Sequence, residues 1–321
     1  MTELQTKVHA YFAEHGFLPV TAETYPILKS YETKGNRIFE CTASNIIQWV
    51  HDFNVLYKVL HNYMCAVSFY GNGEVRIAVQ KPESGAEPLK HVIDTLHSLA
   101  FNAGLPALTV YPVDERFIGE YENIQGYCIT KEYTDDWSEY IYAIEDFINE
   151  SGGVNKNKRE SLSRCRRVPD LSFKPLTKEA AQTCLSIEEE WCKGEDCEYC
   201  SSFSGCEKKS LQMLFELFDD GCAGLLLCEK EKPLGFVIWE HVPCTDFAFF
   251  YFGKSLVPNL SILLYHTAVS TALHDVKYIN VGPDLGKSGL RFFKKHLGKH
   301  ELVRKYSVNY KSTSAHNGEA D

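Results

Sequence analysis

The sequence predicts an α/β protein with mixed sheets, divided into two tandem halves. Three observations carry this expectation. The chain has 321 residues, which suits two cores of about 150 residues better than one. Each half runs from helices through an antiparallel hairpin to a further helix that feeds one more strand, the order expected of a mixed sheet rather than a doubly wound one. Apolar residues make up 44% and charged residues 24% of the chain, enough to fill two cores with no bias towards disorder.

The elements follow in order. Thr2 to His15 has the charge spacing of an amphipathic helix, and Ala43 to Val55 puts Ile46, Ile47, Val50 and Phe53 on one helical side. Strands are expected at Tyr63–Tyr70 and Glu74–Val79, joined by Gly71-Asn72-Gly73, whose residues tolerate positive φ in a hairpin turn. A helix from Leu89 to Ala103 ends at Gly104, and PALTVYPV supplies the next strand. In the second half, the strand LSFKPLT precedes helices at Lys178–Trp191 and Lys208–Asp219. The strands GLLLCEK and LGFVIWEHV then form a hairpin, followed by the strand DFAFFYF and a long helix from Asn259 to Leu273. KYINV, a short helix at Ser288–Leu297 and the strand LVRKYSVNY close the half. The expected division is 1–168 and 169–311, with a polar, disordered tail at 312–321.

Bulk chemistry narrows the partners. A formal charge of -10 argues against duplex DNA, whose ligands carry a basic domain or face. No apolar run reaches the about 20 residues of a membrane span, and LSILLYHTAVSTAL, interrupted by His266, reads as a buried helix. The first residues lack the apolar core of a secretory signal. Several of the twelve cysteines, such as Cys65 and Cys228, sit inside apolar runs as small core residues of a reducing compartment. A cytoplasmic protein is the expectation.

The richest stretch is YINVGPDLGKSGLRFFKKHLGKHELVRKY, Tyr278 to Tyr306. Asp284 follows a strand, and Ser288 is placed to cap the next helix, where Gly289 would leave backbone N–H groups open to an anion. Leu290, Phe293 and Leu297 form the expected buried stripe, and Arg291, Lys294 and Lys295 share another face. An acid at a strand end beside a helix N-terminus and cations makes a plausible phosphate or carboxylate site. The plainer alternative is a solvated basic helix.

This stretch resembles the C-terminal signature of the phosphatidylglycerol lysyltransferase catalytic-domain family, through Ile279-Asn280, Asp284, Gly286, Gly289-Leu290-Arg291, Lys294 and Lys305-Tyr306. A second segment, 135–167, resembles that family's Asp-Tyr-x-Tyr helix with a following glycine and Lys-Arg pair, through Tyr140, Tyr142, Gly152, Lys158 and Arg159. The resemblance implies two tandem GNAT-like (acyl-CoA N-acyltransferase-like) domains. It also implies transfer of an aminoacyl group from aminoacyl-tRNA, in the best-known members to a lipid head group. The chain departs from the pattern at Gly253, where Glu is usual before Lys254, and at Glu160, where Asn is frequent.

Asp284 is therefore the candidate general base or amine anchor, with Arg291, Lys294 and Lys254 as charge-neutralising catalytic partners. Asn280, Gly286, Gly289, Lys158, Arg159 and Tyr140 are the expected substrate-binding set. Glu240 and His241, at a strand end, are secondary acid–base candidates. The cations between Lys156 and Arg167 are the place for tRNA contact, if there is one. Cys192, Cys197, Cys200 and Cys206 include one two-residue gap of zinc-ligand type but lack the second, so thiols in a loop are expected and no metal centre. SLVPNLSILL has no glycine to form the pyrophosphate loop common before the long helix of acetyl-CoA enzymes. The leading expectation is an acyl- or aminoacyltransferase with an aminoacyl-tRNA or acyl-CoA donor and a small-molecule or peptide acceptor. The alternatives are an acetyl-CoA-dependent N-acetyltransferase, or a non-catalytic protein of the same fold that binds a small anion or peptide.

Overall fold

The computed structural model describes residues 1–151, 156–194, 207–242 and 245–313. The chain forms two compact units. The first comprises residues 1–33, 40–134 and 304–321, the second 34–39 and 135–303.

In the first unit, α1 (Glu3–Glu14) opens with a capping box in which Thr2 and Gln5 satisfy each other's backbone N–H groups. After β1 (Leu18–Pro19) and α2 (Tyr25–Lys29), the expected helix at 43–55 is split into α3 (Ala43–Gln48) and α4 (Val50–Phe53). Asn54, left-handed with φ 43°, ends α4. Strands β2 (Leu56–Leu60), β3 (Tyr63–Phe69) and β4 (Val75–Gln80) form a meander, and α5 (Leu89–Asn102) leads into β5 (Leu108–Asp114). Gly104, at φ 95°, closes α5 as the sequence leads one to expect. α6 (Ile118–Glu122) and β6 (Tyr127–Glu132) follow. Val92, Ile93, Leu96 and Ala100 of α5 pack on Cys65, Val67, Ile77 and Val110 of the sheet.

The second unit contains β7 (Glu139–Ala143), α7 (Ile144–Ile148), α8 (Lys156–Cys165), β8 (Leu171–Pro175), α9 (Ala181–Gly194) and α10 (Glu207–Glu216). Then come β9 (Cys222–Glu229), β10 (Lys232–His241), β11 (Phe247–Ser255), α11 (Leu260–Ala272), β12 (Tyr278–Pro283), α12 (Ser288–His296) and β13 (Glu301–Val303). The sheet order is β13-β7-β12-β11-β10-β9-β8. β11 and β12 run parallel but pair only through Phe247↔Tyr278, Ala248↔Ile279 and Phe249↔Asn280. Beyond that point the two strands separate, so the sheet has a seam at its centre. α11, apolar on nearly every side, buries Leu260, Leu263, Leu264 and Ala268 against this sheet. Among the described residues no helix is long and apolar enough to cross a membrane.

The structure departs from the sequence expectations at three further places. β14 (Lys305–Ser312), expected to close the second half, instead lies between β5 and β6 in the first unit's sheet. The Tyr140-x-Tyr142 segment, matched to a family helix, is strand β7 of the second unit. Its alternation explains why: Tyr140 and Tyr142 enter one core, while Glu139 and Ile141 face the other way. The second unit therefore begins at Asp135 rather than at 169, because β7 hydrogen-bonds to β12 and β13. Of the expected tail, residues 314–321 lie outside the described residues.

Candidate functional site

The seam is polar on one face. β10 alternates strictly, with Val237 and Trp239 in the α11-side core and Phe236 and Ile238 in the α9–α10 core, which leaves Glu240 on the α9–α10 side. β11 would keep the same alternation, but its register against β10 slips between Ile238↔Phe252 and Trp239↔Phe250. The extra residue is Tyr251, a β-bulge. As a result Tyr251 and Phe252 both turn to the α9–α10 side, immediately beyond the last β11–β12 pair. The Tyr251 hydroxyl donates to the fully buried Glu240 carboxylate at 2.6 Å, and its ring packs on Phe39 with centroids 5.1 Å apart. Across the seam, Asn280 donates to the Arg37 carbonyl (2.8 Å) and to Glu139. Glu139 also accepts from the Phe39 N–H at 2.9 Å. Two buried carboxylates, a half-buried phenol and an amide thus flank the place where the strands part.

The loop after β12 keeps the seam open. Past Asn280 the β12–β7 register is interrupted until Pro283, and Gly282 takes φ 70°, so this stretch loses its ladder partners. Lys294 of α12 supplies the missing donors. Its ammonium, 5% exposed as a residue, donates to the carbonyls of Val281 (2.5 Å), Gly282 (2.8 Å) and Pro283 (2.6 Å). All three ammonium protons are used there.

Asp284 is equally committed. It is 1% exposed and accepts from Tyr140 Oη at 2.7 Å, from Arg291 Nε and Nη2 at 2.8 and 2.9 Å, and from the Gly286 N–H at 2.9 Å. Burial alone would raise the Asp284 pKa, but the Arg291, Tyr140 and Gly286 hydrogen bonds outweigh it and hold the carboxyl below its ordinary value. Burial and then the bond to Asp284 push the Tyr140 phenol up to about 12. Arg291 also donates to Asp136 at 2.6 Å. Gly286, at φ 73°, lies so close to Asp136 that a Cβ would come within 2.8 Å of its carboxylate.

The groups read from sequence as a base and a phosphate ligand are thus engaged internally: Asp284 by Tyr140, Arg291 and Gly286, and Lys294 by the carbonyls of the β12 end. Ser288 does not cap α12: the N-cap is Lys287, with no side-chain cap bond. Gly289 has open space where a Cβ would stand, so no close approach demands it.

Lys254 lies further along β11, 8% exposed, 2.6 Å from Glu207 and 3.7 Å from Glu188, with its ammonium 3.5 Å from the Trp191 ring centre. Burial works against its charge, but the two carboxylates prevail and raise its pKa. Cys192 donates to Glu188, whereas Cys197, Cys200 and Cys206 lie outside the described residues. Gly253 faces the other way. A Cβ there would overlap the buried Tyr265 ring of α11, so the packing leaves no room for a side chain at this position. Gly253→Ala should lower stability by about 1–3 kcal/mol, measured by urea unfolding, and adding Tyr265→Leu should recover part of the loss. Unchanged stability in the single variant would contradict this packing.

Lys158 points into the core, whereas Arg159 is exposed. Lys158 is 1% exposed and donates to the Phe147 carbonyl at 2.6 Å, and burial pushes its pKa down to about 8. Arg159 donates to the Glu150 carbonyl at 2.8 Å, and Arg166 makes a two-pronged pair with the Glu150 carboxylate. The pocket side of α8 carries Asn157, Glu160, Ser161 and Arg164. With Asn259 and Ser261 at the start of α11, and Phe292 and His296 of α12, they line a pocket of about 460 Å³. The helical spacing of 157, 160/161 and 164 was available in the sequence, but nothing there told which face would be open. His241 ends β10 opposite Ala248 and is half-buried.

Two units that each carry a parallel strand pair beside an antiparallel meander, with a seam in the second, define a tandem GNAT-type N-acyltransferase fold. The chain belongs to the family described as phosphatidylglycerol lysyltransferase, C-terminal, which it matches over residues 42–296. Among solved structures, it is similar to a conserved protein of unknown function from Bacteroides thetaiotaomicron, with a TM-score of 0.82 and 20% identity over 92% of this chain and 99% of that one. L-PGS from Bacillus licheniformis has a TM-score of 0.61 and 15% identity, covering 92% of each chain. The C-terminal domain of a protein assigned as a lysylphosphatidylglycerol synthetase in Agrobacterium fabrum has 0.61 and 14%, covering 91% of this chain and 92% of that one. No curated protein matches the chain by sequence.

Proposed function

We propose that the protein is a cytoplasmic aminoacyltransferase that moves an aminoacyl group from aminoacyl-tRNA to an amine or hydroxyl of a small molecule or peptide. The observation that carries this reading is the Tyr251–Glu240 pair, 2.6 Å long and set on the β11 bulge where the strands part. Family membership over residues 42–296 supports the reaction class.

In this reading the acceptor's nitrogen or oxygen attacks the ester carbonyl carbon of the donor. Its proton passes to the Tyr251 hydroxyl as that hydroxyl gives its own proton to Glu240. Collapse of the tetrahedral intermediate breaks the ester C–O bond, and the same relay returns the proton to the departing ribose oxygen, so Glu240 ends ionised as it began. Asn280 and Glu139 hold the opposite strand edge. Arg164 and the first turn of α11 receive the donor's phosphates in the pocket between α8, α11 and α12. The free thiols of Cys65, Cys184 and Cys228 suit a reducing compartment.

Transfer from charged tRNA and from acetyl-CoA, measured beside Glu240→Gln and Tyr251→Phe, tests the reading. Glu240→Gln should slow aminoacyl transfer by about 10²–10⁴-fold. Equal rates in the variants would remove the relay, and turnover with acetyl-CoA alone would replace the donor. A second reading, non-catalytic anion binding, draws on the internal engagement of Asp284, Arg291 and Lys294. A ligand that co-purifies chemically unchanged, with no turnover from either donor, would favour it.

A further inference from the structure

We propose that the first unit carries a site for a divalent transition-metal ion of the zinc class, formed by His61, Glu87 and His91. His61 sits in the β2–β3 turn in a left-handed conformation, φ 49°, Glu87 lies just before α5, and His91 is in its first turn. The three ligand atoms lie within 4.8 Å of one another. Both imidazole Nδ1 atoms approach the same carboxylate oxygen, Glu87 Oε2, at 3.1 Å from His61 and 3.4 Å from His91. Ligands about 2.0–2.1 Å from a tetrahedral zinc ion stand about 3.3 Å apart, so both measured edges already have the spacing of a coordination shell.

The hydrogen bonds behind the ligands point the same way. Thr95 Oγ1 donates to the His91 carbonyl at 2.9 Å, so its hydrogen is committed. His61 Nε2, 3.0 Å from that hydroxyl, must then be the donor between them, which fixes the His61 tautomer. A neutral His61 consequently turns its Nδ1 lone pair, not an N–H, towards the Glu87 carboxylate. Two electron pairs facing each other at 3.1 Å repel, and the contact becomes attractive only with a positive charge between them, a proton or a metal ion. A ring N–H held by an outer hydroxyl while the other nitrogen points at a carboxylate is the arrangement that orients a metal-ligating histidine. The Tyr63 hydroxyl on the Glu87 carbonyl (3.0 Å) and the Asn62 amide on the Gly85 carbonyl (3.0 Å) tie down the loop that carries the carboxylate. His61 is half-buried and the other two ligands are exposed, which leaves water to complete the shell. The ion would pin the β2–β3 turn to the start of α5.

Titration of the metal-free protein with Co²⁺, read by visible absorption, and with Zn²⁺, read by calorimetry, tests this. A nitrogen- and oxygen-ligated Co²⁺ gives d–d bands without the thiolate charge-transfer band that binding at the cysteines would add. One such ion per chain is expected, with affinity at least about tenfold weaker in both His61→Ala and His91→Ala, and a rise in unfolding temperature on metal addition that both variants lose. Thiolate bands alone, no binding, or unchanged affinity in the variants would each overturn the site.

Discussion

Lys294→Met is expected to destabilise the second unit by about 3–5 kcal/mol, because it leaves buried carbonyls without their donor. Methionine keeps the stem length and removes only the ammonium, so the loss reports the clamp on Val281, Gly282 and Pro283 rather than lost packing. The clamp is needed because of the seam. Where β12 leaves β11, its carbonyls lose strand partners, and a buried backbone acceptor must find a donor. Tyr142 adds a second tie, donating to the Lys294 carbonyl at 2.6 Å. Urea unfolding measures the effect as a lower midpoint at unchanged slope. A midpoint within experimental scatter of the parent would show that the carbonyls find other donors.

Asp284→Ala should cost about 2–4 kcal/mol. The low end allows for Arg291, whose side chain is 38% exposed and recovers hydration when its partner is lost. The buried Tyr140 hydroxyl recovers none. The same group gives a pH dependence with a definite sign. The folded-state pKa of Asp284 lies below its unfolded value, so between the two the unfolded chain binds more protons and stability rises with pH. The contribution is complete above the unfolded aspartate value, about 3.9, and is lost as pH falls from there through the folded value. Stability measured from pH 6 down to pH 2 should fall less steeply in Asp284→Asn than in the parent. Parallel curves would mean that Asp284 does not carry the linkage.

The sequence was informative wherever the determinant was local. Gly73 at φ 92° and Gly104 at φ 95° are legible because a turn or a helix end needs a residue without a Cβ at that position. The burial of Cys65 and Cys228 follows from the apolar runs that contain them. Alternation at 139–143 is present too, and its period of two marks the strand β7 where the family resemblance implies a helix. The family itself was readable from the spacing around Asp284 and Arg291, because a loop and the helix after it are continuous in the chain.

Roles were not readable in the same way. Asp284 and Lys294 look alike as candidates for chemistry when seen as an acid and a base beside a helix. Whether such a group serves a substrate or the fold depends on which atoms surround it: for Asp284 the distant Tyr140 of β7 besides the nearby Gly286 and Arg291, and for Lys294 the carbonyls left unpaired where β12 loses its register with β7. Tyr251 could not be selected either, since its orientation arises from a bulge set by register against β10. Nor could the place of β14, which pairs with strands some two hundred residues earlier. The sequence by itself determined most of the elements, the α/β class and the family. The tertiary structure alone decided which charges are spent internally, because satisfaction of a buried polar group depends on long-range pairing that no local spacing encodes.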